Sequence, residues 1–122
     1  MNEVSMSPKS HQPMSVALAS LLEERGMTQA QLWRAAGVSQ GAISRYLSGT
    51  RGTRIDSRGA RALEKVAAAL GVGPEHFLEY RAWRVRQVAL DDPALADDLY
   101  DLMVETMRLR ALSEGALDEP HQ

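Results

Sequence analysis

Gln40 and Arg45 carry the side chains with the most specific chemistry in this 122-residue chain. A terminal amide can pair with adenine N6 and N7 at once, and a guanidinium can donate twice to guanine O6 and N7. Both residues stand in "SQGAISRYLSG", Ser39 to Gly49, whose apolar spacing reads as a helix although its opening residues are small or polar. A core helix would place Leu and Ile there. A helix that points its N-terminal end into a DNA major groove needs short polar groups in front and apolar bulk behind. Ser39, Gln40, Gly41, Ala42, Ser44 and Arg45 are therefore expected to face outward, and Ile43 and Tyr46, three apart, to face the core.

Other chemistries find little support. The chain has no cysteine, and its three histidines, His11, His76 and His121, lie far apart, so neither a disulfide nor a metal site is expected. Ser39, Ser44 and Ser48 offer hydroxyls without a His and carboxylate partner in a nucleophile motif, which argues against an enzyme. The carboxylates of "DDPALADDLYD" read as the acidic bias of a helix N-terminus rather than an acid-base pair. No cofactor is expected. No apolar run approaches the roughly 20 residues that span a bilayer, and "MNEVSMSPKSHQP" lacks the apolar core of a signal peptide, so the expectation is a cytoplasmic protein with no membrane contact.

The formal net charge of −2 hides an uneven distribution. Between Met14 and Gly73 the basic residues Arg25, Arg34, Arg45, Arg51, Arg54, Arg58, Arg61 and Lys65 outnumber the acidic Glu23, Glu24, Asp56 and Glu64 by two to one. From Asp91 onward acidic residues dominate, with Arg108 and Arg110 as the only basic ones. A basic body with an acidic appendage suits a chain of which one part meets a polyanion.

The elements that must position these residues are all helical. Residues 1–13 read as a flexible arm. A first helix is expected over Met14 to Arg25, with Val16, Leu18, Leu21 and Leu22 as its apolar face and Gly26 as its stop. Thr28 and Gln31 form a capping box for a second helix, which Gly37 ends in a left-handed turn. Ser39 caps the third helix, Gln40 to about Ser48. Thr50 to Gly59 reads as an exposed loop carrying Arg51, Arg54 and Arg58, and a fourth helix runs from about Ser57 or Arg58 to Leu70 on the stripe Leu63, Val66, Ala67, Leu70. Pro74 opens a fifth helix to about Leu90. Asp92 and Pro93 open a sixth, amphipathic through Leu95, Leu99, Leu102, Met103 and Leu109 to about Leu112, and residues 113–122 read as an acidic, disordered tail. Arg34, Arg61 and Lys65 are expected to be ordinary solvated charges, and Tyr46, Tyr80 and Trp83 packing residues.

Two short helices joined by a turn containing Gly37 form a helix-turn-helix. "TQAQLWRAAGVSQGAISRYLSG" followed by "LEKVAAALGVGPEHF" resembles the Cro and phage-repressor type, or xenobiotic-response-element-like, family of helix-turn-helix regulators over about Met14 to Leu78. The resemblance implies an all-α, five-helix lambda-repressor-like bundle, here with an additional C-terminal helix, that binds double-stranded operator DNA as a dimer. It puts Gln40, Gly41, Ser44 and Arg45 near bases, and Ser39 and Ser48 near phosphates. Gln29 would bind a phosphate and buttress Gln40. Trp33 stands where the family most often has a small Ala, so its indole would lie along the edge of the helix crossing or hold it more open. The loop after the third helix is about five residues longer than usual, and Arg51, Arg54 and Arg58 within it would clamp phosphates or enter a minor groove. Residues 79–112 are the expected dimerisation extension of a sequence-specific regulator, most readily a repressor. The alternative is an antitoxin or accessory module whose C-terminal helices bind another protein.

Overall fold

In the computed structural model, residues 9–48 and 54–118 are described, and every regular element among them is helical. The elements are α1 (Met14–Arg25), α2 (Gln29–Ala36), α3 (Gln40–Ser48), α4 (Ser57–Leu70), a single 3-10 turn (Pro74–His76), α5 (Leu78–Asp91) and α6 (Pro93–Asp118). Two compact units divide the chain between Arg84 and Val85.

The first unit is built on one core. Met14, Ala17, Leu18, Leu21 and Leu22 of α1 recur at helical spacing and pack with Leu32, Tyr46, Ile55, Leu63, Val66, Leu70 and Phe77. Val16, expected on that face, is 45% exposed, because the buried stripe runs through Met14 and Ala17 instead. The cap chemistry is as the sequence indicates at α2: Gln31 N donates to Thr28 Oγ1 at 3.1 Å, and Thr28 N donates to Gln31 Oε1 at 2.8 Å. Gly37 ends α2 at φ 71°, a backbone angle that glycine adopts without a Cβ penalty.

Four expectations are corrected. The segment before α4 is not wholly an exposed loop: Ile55 is buried, Asp56 caps α4 by accepting from Gly59 N at 2.8 Å, and Arg58 and Gly59 belong to the first helical turn. The helix expected from Pro74 stops after one 3-10 turn, because Phe77 turns extended (φ −91°, ψ 130°) to bury its ring completely, and α5 starts only at Leu78. The arm is tied down at its end: Ser10 N donates to His76 O at 2.9 Å, and Arg81 donates to the carbonyls of Ser10, Glu75 and His76. Residues 1–8 lie outside the described residues. Finally, α6 continues through Ser113 to Asp118, since "SEGALD" offers helix formers on both sides of one tolerated glycine, so these residues are helix rather than tail. Residues 119–122 lie outside the described residues.

Glu79 joins the two ends of the first unit. Pro13, at the cap of α1, has no side chain that can accept a hydrogen bond, and the need is met from 65 residues away, where Glu79 Oε2 accepts from Met14 N at 3.1 Å. The carboxylate is 6% exposed and sits at the positive end of the α1 dipole, where negative charge is favoured. Trp83 Nε1, one turn further along α5, is buried and has no partner among the described residues, as is Glu79 Oε1. Glu79→Ala should lower unfolding free energy by about 2 kcal/mol in a urea titration, and Glu79→Gln, which keeps an acceptor but not the charge, by about 1 kcal/mol.

In the second unit, α6 opens as the sequence indicates, with Leu95 N donating to Asp92 Oδ1 at 3.1 Å. Much of its apolar surface is open to solvent, including Tyr100, Leu102, Met107 and Leu112, each about 60% exposed. Among the described residues no helix is long and apolar enough to cross a membrane.

Candidate nucleic-acid interface

The third helix has the two-sided character that its sequence suggests. Ala42 and Tyr46 are buried at 7% and 8%, while Gln40, Gly41 and Arg45 are exposed. Ala42, expected to face outward, is therefore a core-side residue; it lies four before Tyr46, one helical turn away on the same face. Ser39 caps the helix, its Oγ accepting from Ala42 N at 3.1 Å, which leaves its hydroxyl proton free to donate. The side chains of Ile43, Ser44 and Ser48, and the whole of Arg51, lie outside the described residues.

Position is fixed by packing and by one hydrogen bond. The helix contacts α1 and α2, and the Tyr46 hydroxyl donates to Gly59 O at 3.2 Å, joining α3 to the first turn of α4. Burial raises the Tyr46 pKa above its ordinary value, with nearby Arg45 opposing and Asp56 reinforcing the shift. The α2–α3 turn is held in turn by Gly37 N and Val38 N, which both donate to Trp33 O. Trp33 is half-buried, and the Arg34 guanidinium lies 5.6 Å from its ring centroid, so the bulky indole sits at the edge of the packing and carries a cation on its face.

At Gly41 an added Cβ would meet nothing nearer than Ser39 Oγ at 4.0 Å. Packing does not require a glycine there, and what it leaves is a bare stretch of backbone between Gln40 and Ala42. Gln29 is exposed at the start of α2 and forms no hydrogen bond to Gln40.

Two groups stand out among the basic residues. Arg25 Nε donates to Leu70 O at 2.7 Å and its Nη1 to Glu24, and Arg81 holds three carbonyls, so both are spent on the fold. Arg45, Arg54, Arg58, Arg61 and Lys65 are exposed and form no hydrogen bond or ion pair with another described residue. The structural roles of Arg25, Arg81 and Glu79 were not legible in the sequence, because each has one partner 45 to 71 residues away, namely Leu70, Ser10 and Met14. Among the described residues no group of three or more His, Asp or Glu side chains is arranged to hold a metal ion.

The helix-turn-helix is matched by a known family of DNA-binding domains. The family described as the Cro/C1-type HTH DNA-binding domain matches residues 17–82, more than half of the chain. The protein belongs to that family: it is a DNA-binding transcriptional regulator whose fold is a lambda-repressor-like bundle with an added C-terminal helix. The chain is also similar to a chain of the solved SinR protein/SinI protein complex, at 16% identity and a TM-score of 0.45, over 80% of this chain and 97% of that one. No curated protein matches the sequence.

Tyr46→Phe should cost about 1 kcal/mol by removing the bond to Gly59. Because the folded-state pKa is raised, the stability contributed by the neutral phenol is complete below about pH 10 and lost as pH rises further. Unfolding midpoints measured from pH 8 to 11 should therefore fall less steeply in the Phe variant.

Proposed function

We propose that the protein is a sequence-specific repressor that reads operator DNA through α3 as a homodimer. The observation that carries this reading is the arrangement of α3: Gln40, Gly41 and Arg45 exposed, Ala42 and Tyr46 buried behind them. Gln40 would pair with adenine, Arg45 with guanine, and Gly41 would let the helix backbone approach the base edges closely. Ser44 would complete the reading edge. Gln29, Ser39, Ser48, Arg51, Arg54 and Arg58 would hold phosphates and fix the register, without choosing sequence. Repression follows from occupancy alone, since a bound dimer occludes the duplex.

The dimer rests on α6. Leu95, Leu99, Leu102, Thr106 and Leu109 are spaced by four and three residues alternately, the heptad rhythm of a helix seam, and Leu102 and Leu109 are 63% and 52% exposed. An antiparallel pair sets Asp97, Asp98 and Asp101 of one copy near Arg108 and Arg110 of the other, whereas a parallel pair sets acid against acid. Two readers then engage half-sites about 34 Å apart, one duplex turn.

Selection of bound sequences from random duplex DNA at fixed salt should return a palindrome. Arg45→Ala should relax one G·C position in each half-site at a cost of about 1 to 3 kcal/mol. If Gln40→Ala with Arg45→Ala leaves the selected sequence unaltered, α3 is not the reader. Leu102→Asp should halve the mass in sedimentation equilibrium and weaken palindrome binding. A wild-type monomer that co-purifies with another protein, lost on truncation at Leu90, would favour the antitoxin or accessory reading.

A further inference from the structure

The exposed face of α4 places Arg58, Arg61 and Lys65 at intervals of three and four residues, with Arg54 four residues before them. The 3-4 spacing within the helix stacks Arg58, Arg61 and Lys65 in one row, and Arg54 precedes the helix N-cap Asp56. The buried residues of the helix, Ala60, Leu63, Val66, Ala67 and Leu70, occupy the opposite side, so the row points directly away from the core.

Such a row works against the stability of its own helix. Like charges three and four residues apart repel, and the positive end of the dipole favours acidic rather than basic side chains, yet Arg58 stands in the first turn and no acidic residue does. The neighbouring carboxylates form no ion pair with the row. Asp56 is occupied in capping the helix, and Glu64 accepts from the Tyr80 hydroxyl at 2.8 Å. A local arrangement that opposes the fold without a gain inside the fold marks a surface kept for something else.

We infer that the α4 row is a phosphate-tracking ridge, in which Arg61 and Lys65 extend the DNA contact beyond the recognition helix and the loop arginines. The inference rests on the DNA-binding reading above and adds two residues otherwise counted as solvated charges. The row begins beside α3, because Tyr46 ties that helix to Gly59. From Arg58 to Lys65 it advances about 10 Å at 1.5 Å per residue, the rise of about three successive phosphates at 3.4 Å along one strand. It contributes affinity and orientation, and no sequence choice.

The test is the salt dependence of binding by the full-length chain with Arg61→Ala and Lys65→Ala combined, against the selected duplex and an unrelated one. Each phosphate contact contributes about 0.9 to the slope of log K against log salt, so between 50 and 200 mM the wild type should lose about 12-fold more affinity than the variant, on both duplexes alike. Arg61→Lys with Lys65→Arg should keep the wild-type slope. Thermal unfolding of the Ala variant should be no easier than wild type, since only repelling charges are removed. An unchanged slope in the Ala variant overturns the ridge, and it leaves the reading of α3 standing if Arg45→Ala still changes the selected sequence. A wild-type chain that binds neither duplex at any salt overturns both.

Discussion

A helix of nine residues does not hold itself in water, because nucleation consumes most of what so few backbone bonds return. The third helix exists because Ala42 and Tyr46 are buried and because the Tyr46 hydroxyl reaches Gly59. Everything proposed for the molecule depends on that attachment. A side chain that reads a base edge must be held to well under an ångström, and a rigid helix backed by a core does this better than a loop. The same attachment brings the first turn of α4 beside α3, which is how a groove-reading edge and a row of cations come to be neighbours.

The arginines show how one residue type is divided between two tasks. Arg25 and Arg81 donate to backbone carbonyls at the ends of α4 and of the 3-10 turn, satisfying groups that helix geometry leaves over. Glu79 performs the reciprocal service at the start of α1. With these charges absorbed by the fold, Arg45, Arg54, Arg58, Arg61 and Lys65 stand without ion pairs among the described residues, and their attraction for a polyanion is not diminished by internal pairing.

Much of the capping chemistry is local and is readable from the sequence. The capping box of Thr28 and Gln31, the left-handed end at Gly37, the Ser39 cap and the Asp92 cap each involve residues within a few positions of one another, and each stands in the structure as the sequence indicates. Long-range demands were not readable. Phe77 breaks the helix expected from Pro74 because the core needs its ring, Ile55 turns part of an apparent loop inward, and Ala42 is claimed by the packing although its size suits either side. The row on α4 was legible in principle, from the 3-4 spacing of Arg58, Arg61 and Lys65, but its meaning required knowing that Asp56 and Glu64 form hydrogen bonds elsewhere.

The account is tested most directly by backbone amide chemical shifts of the labelled full-length protein during titration with a duplex. Shifts should concentrate on Ser39 to Arg45, on the start of α2 and on the Arg58 to Lys65 stretch of α4, while the buried stripe of α1 stays nearly unmoved. Shifts confined to α6, or to the 3-10 turn and the residues around Ser10, with α3 unaffected, would contradict it.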